Sequence, residues 1–347
     1  MAYTTINDSE KYFKTVLWTG NLFANSITGV NHQPDLLWFK NRGTTNNFEV
    51  IDSSRGTNKK LRLDDEAVEG TSTTRITSFD SDGFTLSTDP SVNGNQNSIL
   101  AWSWKANGGT TATISGGVNA VVQKEDTAKF AIGTYTGTGS QTGAEHGLGV
   151  KPDFIIIKNR DQDDSWFTWI RKAVASNQGL YMDTNSDLLE TNGFMGNEDP
   201  QITDPGIGLG TGHNTNASSE NYVFYCWSAV QGFSKFGQYY GNGNAEGPFV
   251  YCGFKPAWVM VKKTSADHSW YTQYQGEGDT HGNPVKFSLT LDNPQTDISE
   301  NSMDFLSNGF KIRTSGNGHN TNDATYAYAA FAESPFVTSN GAPGVAG

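Results

Sequence analysis

Three times along the chain a proline opens an unbroken apolar run that ends in lysine: Pro34-Asp-Leu-Leu-Trp-Phe-Lys40, Pro152-Asp-Phe-Ile-Ile-Ile-Lys158 and Pro256-Ala-Trp-Val-Met-Val-Lys262. Proline is tolerated at the first position of a strand, where its missing N–H is not needed. A continuous run of β-branched and aromatic residues fits a strand covered on both faces. Each run therefore predicts an inner strand of a sandwich. The closing lysine, followed by Asn-Arg at 41–42 and 159–160, predicts a solvated turn where the strand leaves the core.

Further landmarks hold the same register. An aromatic-x-Gly step ends at Gly20, Gly137 and Gly241, and Phe48, Trp166 and Trp270 each follow their lysine by eight residues. Each copy closes on an Asn-rich turn and an aromatic strand, at 99–104, 222–227 and 326–331. Copies one and three share a Gly-Phe strand at Gly83 and Gly309; copy two shows no equally clean counterpart, so 199–212 is expected to be a loop. Short strands between Gly, Asn and Asp clusters are the pattern of an all-β sandwich or barrel. The fold predicted is all-β, with three tandem related β-sandwich-like modules, short strands and Gly/Asn-rich turns. They are placed at 10–106, 129–230 and 231–335, after an N-terminal arm (1–9), with a flexible linker (107–128) carrying a strand around Val118 to Val122, and before an extended C-terminal tail (336–347).

Composition narrows the class. At roughly 100 to 200 residues per domain, 347 residues predict two or three domains. Aromatic residues make up 12% and charged ones 17%, with 39 Gly, which disfavours helical bundles and disorder. Lys and Arg total 24 against 36 Asp and Glu, and a net charge of −12 repels nucleic acid and anionic lipid. No run approaches the roughly 18 apolar residues of a membrane span, and the N-terminus lacks signal-peptide character. A soluble protein made in a cytoplasm, without membrane insertion, is expected. Cys226 and Cys252 read as reduced core thiols.

Candidate chemistry is sparse. No carboxylate pair recurs in register, as glycoside hydrolysis would need, and no nucleophile elbow or His-rich metal spacing is present. No catalytic residue, metal or cofactor is assigned. Acidic turns at Asp80 to Gly83 and Asp161 to Asp164 read as Asx-turns, with a structural calcium ion as the weaker reading. His213 and His319 occupy equivalent places in a His-Asn-Thr-Asn string and are expected to be turn hydrogen-bonders. Trp166 and Trp270, shared between copies, are expected in the core. Trp169 and Tyr274, not shared by all copies, are the candidates for exposed glycan-binding rings.

Longer strings carry a resemblance. The opening Met1-Ala-Tyr-Thr-Thr-Ile6, the run Ile27 to Arg42, Ile51-Asp-Ser-Ser-Arg-Gly56, Phe79 to Leu86, His146 to Pro152, Gly232-Phe-Ser-Lys235 and Asp304 to Ile312 resemble a family of virion proteins of marine tailed phages. The likeness covers essentially the whole chain, and the family is largely recorded as a domain of unknown function. It implies a structural component of the phage particle, tail fibre-like or minor structural, made in the host cytoplasm and assembled on the virion. It implies no catalytic residues. The first reading is a tail-fibre or adhesin-like protein contacting the host surface; the alternatives are a capsid decoration or head-fibre protein and a carbohydrate depolymerase. Other virion proteins and a host-surface glycan or outer-membrane receptor are the expected partners, and a homo-oligomer, by analogy a trimer, is the expected assembly.

Overall fold

In a computed structural model, which describes residues 4–175, 177–190, 205–275, 288–297 and 302–333, the three Pro-to-Lys runs are the strands Leu36–Asn41, Phe154–Asn159 and Pro256–Lys263. They are buried almost throughout. Each pairs antiparallel on one side with a closing strand, Ser98–Trp104, Asn221–Trp227 or Thr325–Ala332. On its other side lies the strand next to the aromatic landmark, Glu49–Asp52, Phe167–Ile170 or Trp270–Tyr274. An opening strand, Phe13–Thr19, Phe130–Thr136 or Ser234–Tyr240, covers the far edge of the closing strand. The same strand order thus occurs in all three segments.

Each segment also holds a small ladder: Asn25–Thr28 with Gly83–Leu86, Thr142–Glu145 with Gly206–Leu209, and Phe249–Tyr251 with Gly309–Ile312. Strand alternation then explains the double burial. In the first segment Leu37 and Phe39 pack with Ile27 and Phe84 of the small ladder, while Leu36 and Trp38 join a core shared with the other segments. Register places Trp104, Trp227 and Phe331 at one position, paired with Leu36, Phe154 and Trp258 respectively. These rings meet: Trp104 lies 5.8 Å from Trp227 and 5.7 Å from Phe331 between centroids.

Polar contacts close the arrangement. Arg160 of the second segment holds Glu69 of the first through two bonds of 2.9 Å, and Glu69 also pairs with Arg55 at 3.0 Å. Trp166 Nε1 donates to Arg62 O at 2.6 Å. One segment on, Trp270 Nε1 donates to Tyr181 O at 2.8 Å. Arg42 completes the circuit on Asp297 at 2.6 Å. The landmark glycines have a plain cause: a β-carbon on Gly20, Gly137 or Gly241 would fall on the carbonyl oxygen of Gly94, Ala217 or Thr321.

Several expectations need correction. The stretch read as a flexible linker is a hairpin, Ala112–Gly116 with Val118–Glu125, whose second strand extends the sheet beside Phe130–Thr136. Val118, Ala120 and Val122 alternate inward, so the hairpin has a core face. The arm is anchored too, since Ile6 is buried. Within 199–212, Gly206–Leu209 is a strand with Ile207 in the Phe84 and Phe310 position; residues 199–204 lie outside the described residues, as does the tail. The three lysines are fully buried rather than solvated.

The His-Asn-Thr-Asn strings are also out of register by two. Asn93, Asn216 and Asn320 are the true equivalents, because each side-chain oxygen accepts from the backbone N–H of Asn21, Thr138 or Asn242. Their amide groups each donate to two loop carbonyls. His213 and His319 therefore occupy different places. The carbonyl of each accepts a tyrosine hydroxyl, from Tyr222 and Tyr239 respectively, so the turn bonding is made by backbone rather than imidazole.

Candidate functional site

Neither ring offered as an exposed glycan platform is exposed. Trp169 is 5% accessible, and its Nε1 donates to Ala175 O at 3.1 Å. Tyr274 is 1% accessible and lies 5.8 Å from Trp102 in the shared core. Parity was the missed signal: Trp270, Thr272 and Tyr274 share one face of a strand, so a core Trp270 brings Tyr274 inward with it. Trp166 and Trp270 are buried as expected.

The buried lysines form a recurring structural unit. Lys158 Nζ donates to Asn159 O and Gln162 O at 2.6 and 3.1 Å, Lys262 to Lys263 O and Asn185 O at 2.9 and 3.2 Å, and Lys40 to Thr44 O and Asn46 O. Burial lowers all three ammonium groups to about 8. Beside them Asp64, Asp183 and Asp292 each accept the backbone N–H of the aromatic landmark, at 3.1, 2.8 and 3.1 Å. Burial raises all three carboxyls, Asp64 to about 7. The unit ties a turn to the sheet.

A raised carboxyl pKa makes the folded state hold a proton that the unfolded chain releases. The contribution of Asp64 is complete below about pH 4 and is lost as pH rises through about 7. Thermal unfolding of wild type and Asp64→Asn across pH 4 to 7 should therefore diverge, with wild type gaining on acidification by up to about 1 kcal/mol per pH unit relative to the variant. Parallel curves would contradict this.

The outer surface of the third segment is different in kind. Tyr240, Phe249 and Tyr251 are 61%, 45% and 55% accessible, with Leu306 at 37%. Register makes the comparison direct. Phe249 and Tyr251 pair with Lys311 and Gly309 on the outward face, while Val250 and Phe310 point inward. Gly309 in turn pairs with Leu306, and Lys311 with Asp304. The places of Tyr240, Phe249 and Tyr251 are held by Thr19, Ser26 and Thr28 in the first segment and by Thr136, Gly143 and Glu145 in the second. Small or polar residues therefore satisfy the fold there. Large aromatics in their stead are an addition that packing does not require, and Phe249 and Tyr251, two apart on one outward strand face, make exposed apolar surface of the kind that marks interaction sites.

Charge frames the patch. Lys235 Nζ donates to Tyr251 O at 2.8 Å and sits 5.1 Å from the ring centroid. Glu246 accepts from Lys311 at 2.8 Å and Arg313 at 3.2 Å, and these cations hold its carboxyl below the usual range. Counting from the landmark glycine could not align these positions. Phe249 follows Gly241 by eight residues, whereas Ser26 and Gly143 follow theirs by six, because the third turn is two residues longer. Phe23, on a loop of the first segment, is 74% accessible.

Other candidates are absorbed by the scaffold. Asp163 accepts Val68 N at 2.9 Å and Asp161 accepts Asn221 N at 2.7 Å, while Asp82 accepts Gly29 N and Asn31 N. At least one oxygen of each is thus engaged by a protein donor. Cys226 and Cys252 are free and buried; burial pushes the Cys252 thiol up to about 12 and Cys226 higher. Among the described residues, no group of three or more His, Cys, Asp or Glu is placed to hold a metal ion, and no helix is long and apolar enough to cross a membrane.

None of the curated proteins matches the chain. A family model described as a domain of unknown function, DUF7483, matches residues 8–335, from just before the first opening strand to the end of the third sheet. The chain belongs to that family.

Proposed function

We propose that this chain is a non-enzymatic structural protein of a tailed-phage particle, of the tail-fibre or adhesin type, which contacts the host surface through the outer sheet of its third segment. One observation carries the reading: Phe249 and Tyr251 replace small or polar residues at matched positions and stand exposed on a framework that does not need them. The rest of the chain supplies rigidity. Three sheets share one core, and the surface turns can vary without disturbing it. The buried lysines and carboxylates are engaged in holding turns, which accords with a non-catalytic role.

Antibody labelling of intact particles tests the location. Label on the tail is expected; label confined to capsid facets would favour a decoration role and overturn the adhesin reading. Incubation of host polysaccharide with the purified chain should release no new reducing ends. Their appearance would restore the depolymerase alternative.

A further inference from the structure

Between the Trp270–Tyr274 strand and the short helix Asn317–Asn320 lies a cavity of about 470 Å³, within the roughly 300–1,000 Å³ of small-ligand sites. His268, Tyr271, Ser302, Arg313, Asn317 and His319 line it. Its walls are made by departures from the other two segments. Aligned on Asn93, Asn216 and Asn320, His319 stands where they carry Val92 and Thr215, and Gly318 where they carry Ser91 and Asn214. A β-carbon on Gly318 would come within 2.5 Å of Tyr271 Cε2, so the glycine is what lets that ring lie over the helix. At the Tyr271 position the first segment instead has Glu49, buried against Arg75 at 2.8 Å.

The lining is polar and uncharged on balance. Tyr271 lies 4.6 Å from His319 and 5.5 Å from His268 between centroids. His319 is 2% accessible, and its Nε2 has no hydrogen-bond partner among the described residues. A buried polar atom left without a partner is costly, and such atoms concentrate where a ligand or water completes them. His268 Nδ1 accepts from Ser269 N at 3.1 Å, which places its proton on Nε2. Burial lowers both imidazoles, His319 to about 3, so both rings are neutral at physiological pH. Arg313 at the mouth is matched by Asp304 at 3.0 Å and Glu246 at 3.2 Å.

We propose that this cavity is a binding pocket for a neutral, hydroxyl-rich ring: a pyranose residue of a host-surface glycan. Hydroxyl groups both donate and accept, which suits the His268 imidazole N–H and the Asn317 amide together, with the His319 ring in the lining. The Tyr271 ring provides an apolar wall for the sugar C–H face. An anion is disfavoured because the cation at the mouth, Arg313, is already paired. The assignment to a host glycan rests on the surface-contact reading; the pocket and its preference for neutral sugars do not.

Saturation-transfer NMR on the full chain tests it, with galactose, glucose, mannose and N-acetylglucosamine as neutral probes and N-acetylneuraminic acid and glucose 6-phosphate as charged ones. Transfer to at least one neutral sugar and to neither charged probe is expected. Asn317→Ala, at an exposed side chain, and His319→Thr, the residue of the second segment, should each weaken binding at least tenfold. No transfer to any neutral sugar, transfer to charged probes alone, or binding indifferent to both substitutions would overturn the proposal. Replacing Phe249 and Tyr251 by Ser and Thr should leave this transfer intact, so the pocket and the aromatic face can fail separately.

Discussion

Trp104→Ala should destabilise the chain by about 3–5 kcal/mol, the usual cost of deleting a large ring from a packed core. Trp104 is 2% accessible and lies 5.0 Å from Trp38, 5.2 Å from Phe13, 5.8 Å from Trp227 and 5.7 Å from Phe331, so it touches rings from all three segments. Its Nε1 has no hydrogen-bond partner among the described residues, so the substitution strands no acceptor there and the loss is one of packing. Because the core is common property, denaturant unfolding followed by tryptophan fluorescence and by far-ultraviolet circular dichroism should give one coincident transition. In the variant that transition should move as a whole. Three separable transitions, with only the first shifted, would mean that the segments stand independently.

Glu69→Gln should cost about as much by a different route. Removing one partner of a buried ion pair leaves an uncompensated charge, at about 3–5 kcal/mol. Arg55 is wholly buried between Asp52 at 2.6 Å and Glu69 at 3.0 Å, and Arg160 reaches the same carboxylate from the second segment. Tyr225, also of the second segment, donates to Asp52 at 2.7 Å. Burial alone would raise the Glu69 pKa, but the hydrogen bond from Arg160 and the charges of Arg55 and Arg160 outweigh it and hold the carboxyl low. A depressed folded-state pKa gives stability that is complete above the ordinary glutamate range and lost as pH falls through the folded value. The gap between wild type and variant, from urea midpoints, should therefore be widest near pH 7 and narrow on acidification. A gap below about 1 kcal/mol at pH 7 would contradict the account.

Much of the scaffold is legible in the sequence alone, because it is written three times. The Pro-to-Lys runs announced inner strands, and the landmark glycines and aromatics proved to be positions where backbone crowding or inter-segment contact permits little else. What misled was local likeness without pairing. The His-Asn-Thr-Asn strings look equivalent, yet the hydrogen bonds of Asn216 and Asn320 set the register two residues away. Gly206-Ile207 was passed over because isoleucine stands where two copies have phenylalanine. Lys40 reads as a strand-exit charge until the chain folds back and presents loop carbonyls to it.

The functional surface was harder to read for a related reason. Trp169 and Tyr274 were singled out for being unshared between copies, but an unshared ring can fill a core as readily as it can face solvent. Exposure is fixed by strand parity and by the sheet packed on each face, and the two extra residues after Gly241 hid the match between Phe249 and Ser26. Once register is known, the aromatic excess of the third segment stands out against two internal references.

Those references also define the sharpest test of the surface-contact role. In the double variant Phe249→Ser/Tyr251→Thr the third segment carries the residues that the first already tolerates at those positions, so melting should match wild type. Truncating central aromatics of an interface commonly costs about 2 kcal/mol or more each. Attachment of labelled protein to host cells should accordingly weaken at least about tenfold. Undiminished attachment of a folded double variant would contradict the assignment of host contact to this face.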